Sequence, residues 1–153
     1  MRARDLAVEY ETVGLDHDAL DAARLLAENR LPALLVLDEQ GAPKAILPAS
    51  QMVRLLVPGY VIEDPTLASV VDERHADRLC ANLTGLKVRD CLTKTVPPPA
   101  VAAADDTALE VAARMAQARS PLVAVVEKDK AGVRLLGVIT ASHFLERLLA
   151  ATS

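Results

Sequence analysis

Three histidines, two cysteines and scattered carboxylates are the side chains with which this 153-residue chain could do chemistry. His17 sits between Asp16 and Asp18, residue types that hold metal ions. Immediate neighbours in a turn seldom converge on one ion, however, and Asp18 is placed to cap the helix that follows. Asp72 and His75 lie three apart, with Cys80 too far round to join them, and read as a solvated helix face. Gly132 and Gly137 have the spacing of a phosphate-cradling loop, but Val138 and Ile139 stand where its lysine and hydroxyl residue belong. The chain contains no GxGxxG, GxSxG or HExxH string. No catalytic residue, metal site or cofactor is expected, and the chain does not read as an enzyme.

Composition narrows the partners. Lys and Arg number 17 against 21 Asp and Glu, a net charge of −4, the wrong sign for gripping a phosphate backbone. Aromatic residues make up 2%, too few for a base-stacking surface, so nucleic acid is not expected as a partner. Cys80 and Cys91 form no disulfide framework, and both are expected as reduced core residues. The N-terminus carries no apolar leader, and the longest aliphatic runs fall far short of a membrane span. A cytoplasmic location is expected.

The elements that must position any site come in duplicate. Residues 16–37 align without a gap on 105–126, an offset of 89, with identities at Asp16/Asp105, Leu20/Leu109, Arg30/Arg119, Pro32/Pro121 and Val36/Val125 as well as three alanine pairs. After a three-residue insertion, 45–51 aligns on 137–143, and upstream Arg4-Asp5 matches Arg89-Asp90. Each copy opens a helix with a capping pattern, Asp18-x-x-Asp21 and Thr107-x-x-Glu110. Leu20, Ala23 and Ala27, like Leu109, Ala112 and Ala116, then mark one helical face. Pro32 and Pro121 end the helices. The unbroken aliphatic runs 33–37 and 122–126 predict strands buried on both faces. Second strands follow at 44–47 and 134–139, and short amphipathic helices at 50–57 and 141–150. Between the copies, Asp64-Pro65 opens a predicted connecting helix. Its stripe is Leu67, Val70, Val71, Leu79 and Leu83, and Gly85 ends it.

In tandem these residues resemble the CBS (cystathionine β-synthase) domain family. The stretches that carry the likeness are Leu31-Pro32-Ala33-Leu34-Leu35-Val36-Leu37-Asp38 with Gly41, Ser120-Pro121-Leu122-Val123-Ala124-Val125-Val126, Gly137-Val138-Ile139-Thr140 and the lead-in Val88-Arg89-Asp90-Cys91-Leu92. The resemblance implies an α/β (α+β) fold of two β-α-β-β-α repeats packed about a pseudo-two-fold axis, the arrangement called a Bateman module. Residues 1–57 would form the first repeat, 58–86 the connecting helix and linker, and 87–153 the second repeat. It also implies a homodimer that senses an adenosine-containing ligand: AMP, ADP, ATP or S-adenosylmethionine.

The family's ligand site follows the pattern Gly-h-h-Thr/Ser-x-x-Asp, with h apolar, at the start of the last helix. A helix N-terminus offers free N–H groups and a positive dipole end to phosphate, and an acid there can accept from ribose. Gly137, Val138, Ile139 and Thr140 fit, but His143 replaces the acid; in the first copy Pro48 and Gln51 replace the threonine and the acid. The expected ligand-binding residues are therefore Thr140, His143, Val138, Ile139, Ala100, Val101, Gln51 and Ile46. Arg30 and Arg119 read either as phosphate ligands or as solvated arginines at helix ends. Two functions remain in view. One is a regulatory sensor that passes ligand binding to an unidentified protein partner by a conformational shift; the other is a dimerisation and interaction platform that has lost nucleotide binding.

Overall fold

The two aliphatic runs become the middle strands of two sheets. The computed structural model describes residues 1–57, 59–70, 78–93 and 98–152. One sheet holds β1 (Thr12–Gly14), β2 (Ala33–Leu37) and β3 (Pro43–Pro48); the other holds β4 (Val101–Ala103), β5 (Leu122–Asp129) and β6 (Gly132–Thr140). Each middle strand runs parallel to the first strand and antiparallel to the third. The duplication extends to register: Thr12 faces Leu35 as Val101 faces Ala124, and Ala33 faces Pro48 as Leu122 faces Thr140. Even the irregularity repeats, between Val36 and Leu37 and between Val125 and Val126.

Alternation along each middle strand divides its side chains between two cores. Leu34 and Val36 pack with Ala22 and Leu26 of α2 (Ala19–Glu28) and Met52 of α3 (Ala49–Leu56). Val123 and Val125 pack with Val111 of α6 (Ala108–Ala118) and Phe144 of α7 (Ala141–Thr152). Between the sheets, Ala33 and Leu35 meet Leu122, Ala124 and Val138. Helices therefore cover both outer faces, and the strands are buried on both sides. Each fully buried Leu or Val contributes about 1.5–3 kcal/mol.

The short lead-in helices cross over. Ala3 and Leu6 of α1 (Ala3–Leu6) lie in the core of the second sheet, whereas Val88 and Cys91 of α5 (Val88–Cys91) lie in the core of the first. Backbone bonds anchor both in the same way. Ala3 N–H donates to Asp106 O at 2.8 Å and Val88 N–H to His17 O at 2.8 Å. Arg4 pairs with Asp105 as Arg89 pairs with Asp16, the latter at 2.7 Å. The repeated Arg and Asp identities are thus the two ends of equivalent cross-unit ion pairs. Their exposure keeps each to about 0–1 kcal/mol, so they register the crossing rather than hold it.

Three expectations need correction. The inward face of α6 is Ala108, Val111, Ala112 and Met115, and Leu109 is 80% exposed. Its counterpart Leu20 is partly covered because the 83–86 segment adds Leu83 and Leu86 to the first core. The described parts of the connecting segment are α4 (Gly59–Glu63) and two 3₁₀ turns, Pro65–Val70 and Leu79–Leu83, rather than one α-helix over 65–83. Asp64 caps the first turn as expected, but its Oδ1 takes both the Thr66 N–H and the Thr66 hydroxyl, and Leu67 N–H closes back on Asp64 O. That tight i→i+3 closure gives the 3₁₀ form. Val71, Asp72 and His75 lie outside the described residues. Finally, Cys91 is buried but Cys80 is exposed, since only Leu83 of its turn reaches the core. Among the described residues, no helix is long and apolar enough to cross a membrane.

Candidate functional site

A cleft of about 390 Å³ opens where the two units meet. The first unit supplies Ile46 and Pro48 from the end of β3; the second supplies Pro98, Pro99 and Ala100 before β4 and residues 117–121, the end of α6 and the turn into β5. The volume is within the range of small-molecule sites, and the walls are largely apolar with one cation, Arg119.

Local sequence explains why Arg119 is there. Helices α2 and α6 both end in a motif that closes the last turn on itself: Leu31 N–H bonds Leu26 O and Ser120 N–H bonds Met115 O, while Arg30 and Arg119 N–H reach Ala27 and Ala116 O. The prolines one and two residues later prevent continuation. The motif needs a left-handed residue, normally glycine, and arginine fills that place in both copies, at φ 52° for Arg30 and 49° for Arg119. The sharp turn carries Arg119 to the cleft wall. Among the described residues its guanidinium has neither an ion pair nor a hydrogen bond. Ser120 beside it donates its hydroxyl to Leu122 O at 2.7 Å.

The expected site residues separate into groups. Ile46 and Ala100 share the cleft. Gln51 lies in an adjoining cavity of about 220 Å³ that shares Ile46 and Pro48 with it, and its Nε2 donates weakly to Cys91 O at 3.5 Å. Burial, and secondarily the charge of Asp90, pushes the Cys91 thiol up, so it stays protonated. Val101 is half-buried against the inter-sheet core that contains Val138. Ile139 is fully buried on the opposite face of β6 with Val123 and Phe144, so alternation removes its side chain from any cleft wall. Thr140 caps α7, its Oγ1 accepting the His143 N–H at 3.2 Å, and His143 Nδ1 stands 3.7 Å from Glu146 Oε2.

By the repeat offsets, Val138 and Thr140 are the counterparts of Ile46 and Pro48. Their surroundings differ. Val8 pairs with Val138 in both directions, at 3.0 and 2.9 Å, so the chain entering the first unit lies along β6. A methyl group on Gly137 would stand 2.8 Å from Val8 O, whereas the equivalent residue, Ala45, has its methyl packed in the core. Beyond Val8, Tyr10 packs against the inter-sheet core and donates its hydroxyl to Ala33 O at 2.6 Å. Burial raises its phenol pKa, opposed by that hydrogen bond.

Pro98, Pro99, Ser120 and Tyr10 were not among the expected site residues. Extending the gapless alignment seven residues upstream sets Glu9-Tyr10-Glu11 against Pro98-Pro99-Ala100 and so brings out Tyr10, Pro98 and Pro99; Ser120 already stands in it opposite Leu31.

The family model for the CBS domain matches residues 88–150, the second copy. A CBS domain-containing protein of unknown function from Kribbella flavida DSM 17836 is 48% identical, with a TM-score of 0.86 over 97% of this chain and 99% of that one. The CBS-pair protein CBSX2 from Arabidopsis thaliana is similar in fold, at 17% identity and TM-score 0.74 over 99% of this chain and 96% of that one. A structure of CBSX2 in complex with AMP is also similar, at 18% identity and TM-score 0.67 over 99% and 98%. No curated protein matches the sequence.

Proposed function

This chain belongs to the CBS domain family, and from that premise we propose that it is a regulatory module that binds an adenosine nucleotide in the cleft between its two units. The observation that carries the reading is Arg119, whose guanidinium is unpaired among the described residues, held in a left-handed backbone at the rim of an apolar cleft built by both copies. Ile46, Pro48, Pro99 and Ala100 offer the adenine ring flat apolar walls. Arg119 offers the phosphate a charge-assisted hydrogen bond, and Gln51 in the adjoining cavity is the ribose partner. The AMP complex of CBSX2 shows that the fold accommodates such a ligand in that protein. Thr140 and His143 belong to the pseudo-equivalent end and are not assigned to this cleft.

A ligand touching both units favours whichever relative arrangement it binds more tightly, and only by that difference in affinity. A protein partner in the cytoplasm reads the arrangement; the chain performs no reaction and needs no cofactor. Leu145 and Leu149, four residues apart on α7 and 58% and 68% exposed, are the face on which we place the homodimer contact. The same exposed leucines, with Leu109, favour the second reading, an interaction platform without a nucleotide.

A thermal-shift panel of AMP, ADP, ATP and S-adenosylmethionine separates the two. A ligand at 100 times its Kd stabilises by ~2.7 kcal/mol. At ~2–4 °C per kcal/mol the midpoint then rises by roughly 5–11 °C. Arg119→Ala is expected to abolish the rise for the phosphorylated ligands. A flat panel for the wild type overturns the nucleotide reading and leaves the platform.

A further inference from the structure

We infer that the chain accepts one nucleotide, not two, because its own residues 9–11 make the second, pseudo-equivalent cleft hostile to an anion. The inference rests on the nucleotide reading above. A recess of about 480 Å³ lies against Glu9, Tyr10, Glu11, Asn29 and Leu31, which by the 89-residue offset are the counterparts of Pro98, Pro99, Ala100, Ala118 and Ser120. Volume does not distinguish it from the 390 Å³ cleft; charge and the Tyr10 ring do.

Two carboxylates, Glu9 and Glu11, stand where the open cleft has proline and alanine. Arg30, the counterpart of Arg119, does not line the recess. A phosphate entering there meets two like charges and no lining cation, so the recess discriminates by repulsion rather than by fit. Tyr10 adds a tethered ring to the recess wall. The carbonyl at the start of the middle strand, Ala33 O, already accepts the Tyr10 hydroxyl at 2.6 Å. Its counterpart, Leu122 O, also accepts a hydroxyl, but from the small Ser120, and Pro99, which replaces Tyr10, has no ring to tether. The pairing of Val8 with Val138 fixes the segment in that position on β6.

The test is the stoichiometry of AMP binding to the full chain by titration calorimetry. One AMP per chain is expected for the wild type, and two for the triple variant Glu9→Gln, Tyr10→Ala, Glu11→Gln. Binding weaker by about a hundredfold or more, enough to remove the thermal shift, is expected for Arg119→Ala. Two AMP per wild-type chain overturns this inference while the nucleotide reading stands. A folded triple variant that still binds one also overturns it, and no binding by the wild type overturns both. Hydrogen exchange on the wild type needs no variant: AMP should protect 98–100 and 117–121 but leave 9–11 and 29–31 unchanged. Protection of both pairs of segments refutes the single site.

Discussion

Arg119 holds a backbone conformation that glycine adopts at lower energy, by roughly 1–2 kcal/mol on the usual penalty for a side chain in the left-handed region. Strain of this kind at a cleft wall is where stability and function separate. Arg119→Gly should therefore raise the melting midpoint by about 2–8 °C and at the same time lose the AMP-dependent shift. A variant that loses stability would show that the guanidinium holds the fold instead. Arg30 has the same backbone without the cleft, so Arg30→Gly should stabilise and leave binding intact. Measuring both variants separates the cost of the turn from the role of the side chain. Gly137 is the converse case, a residue without a side chain because another backbone passes 2.8 Å from where its methyl would be.

At the scale of the element, the caps at the starts of α2 and α6 differ in completeness. Asp18 accepts the Asp21 N–H at 3.1 Å, one bond. Thr107 accepts the Glu110 N–H at 3.2 Å while Glu110 Oε1 takes both the Thr107 N–H and its hydroxyl. The second box satisfies two orphan donors reciprocally. Thr107→Ala should cost about 1 kcal/mol in urea unfolding, at the usual value for a lost cap; no change would mean that water replaces the box at no cost. The C-terminal ends of the same helices depend on closure around arginine, and the prolines beyond them only prevent continuation. The connecting segment shows what local signals omit: its cap and proline are sound, yet the tight closure on Asp64 yields a 3₁₀ turn.

For the molecule as a whole, the exchanged lead-ins make each unit incomplete without the other. Leu6 belongs by sequence to the first copy but is fully buried among Val111, Val123 and Ile139 of the second. Leu6→Ala should destabilise by about 2–5 kcal/mol, the range for a large-to-small change in a core. Hydrogen exchange should find the loss first in β5 and α7 and later in β2. Equal or reversed loss would place Leu6's contribution elsewhere. Because the crossing is shared by both lead-ins, the asymmetry of the two clefts lies in the residues beside each. The segment that leaves α1 runs along β6 to reach β1 and carries Glu9, Tyr10 and Glu11 into the recess, whereas Pro98 and Pro99 precede β4 at the open cleft.

Much of this was legible in the chain itself, for a physical reason. Strand burial follows from unbroken runs such as Ala33–Leu37 and Leu122–Val126, caps from three-residue spacing, and duplication from matched residues; each is a local pattern that survives in one dimension. The identities at Arg4/Arg89 and Asp16/Asp105 were visible as well, but their meaning was not. They are partners across units, and only the fold brings residues 4 and 105 together. The inward face of α6 was misjudged at Leu109 because the covering segment that shelters Leu20 lies some sixty residues away in sequence. The last-helix pattern predicts the cap that Thr140 forms on α7, while Ile46, Ala100 and Arg119 line one cleft although no local spacing unites them. Short-range hydrogen bonding and hydrophobic periodicity determine the elements. Which elements share a wall depends on chain crossing and core packing, and those are decided only in three dimensions.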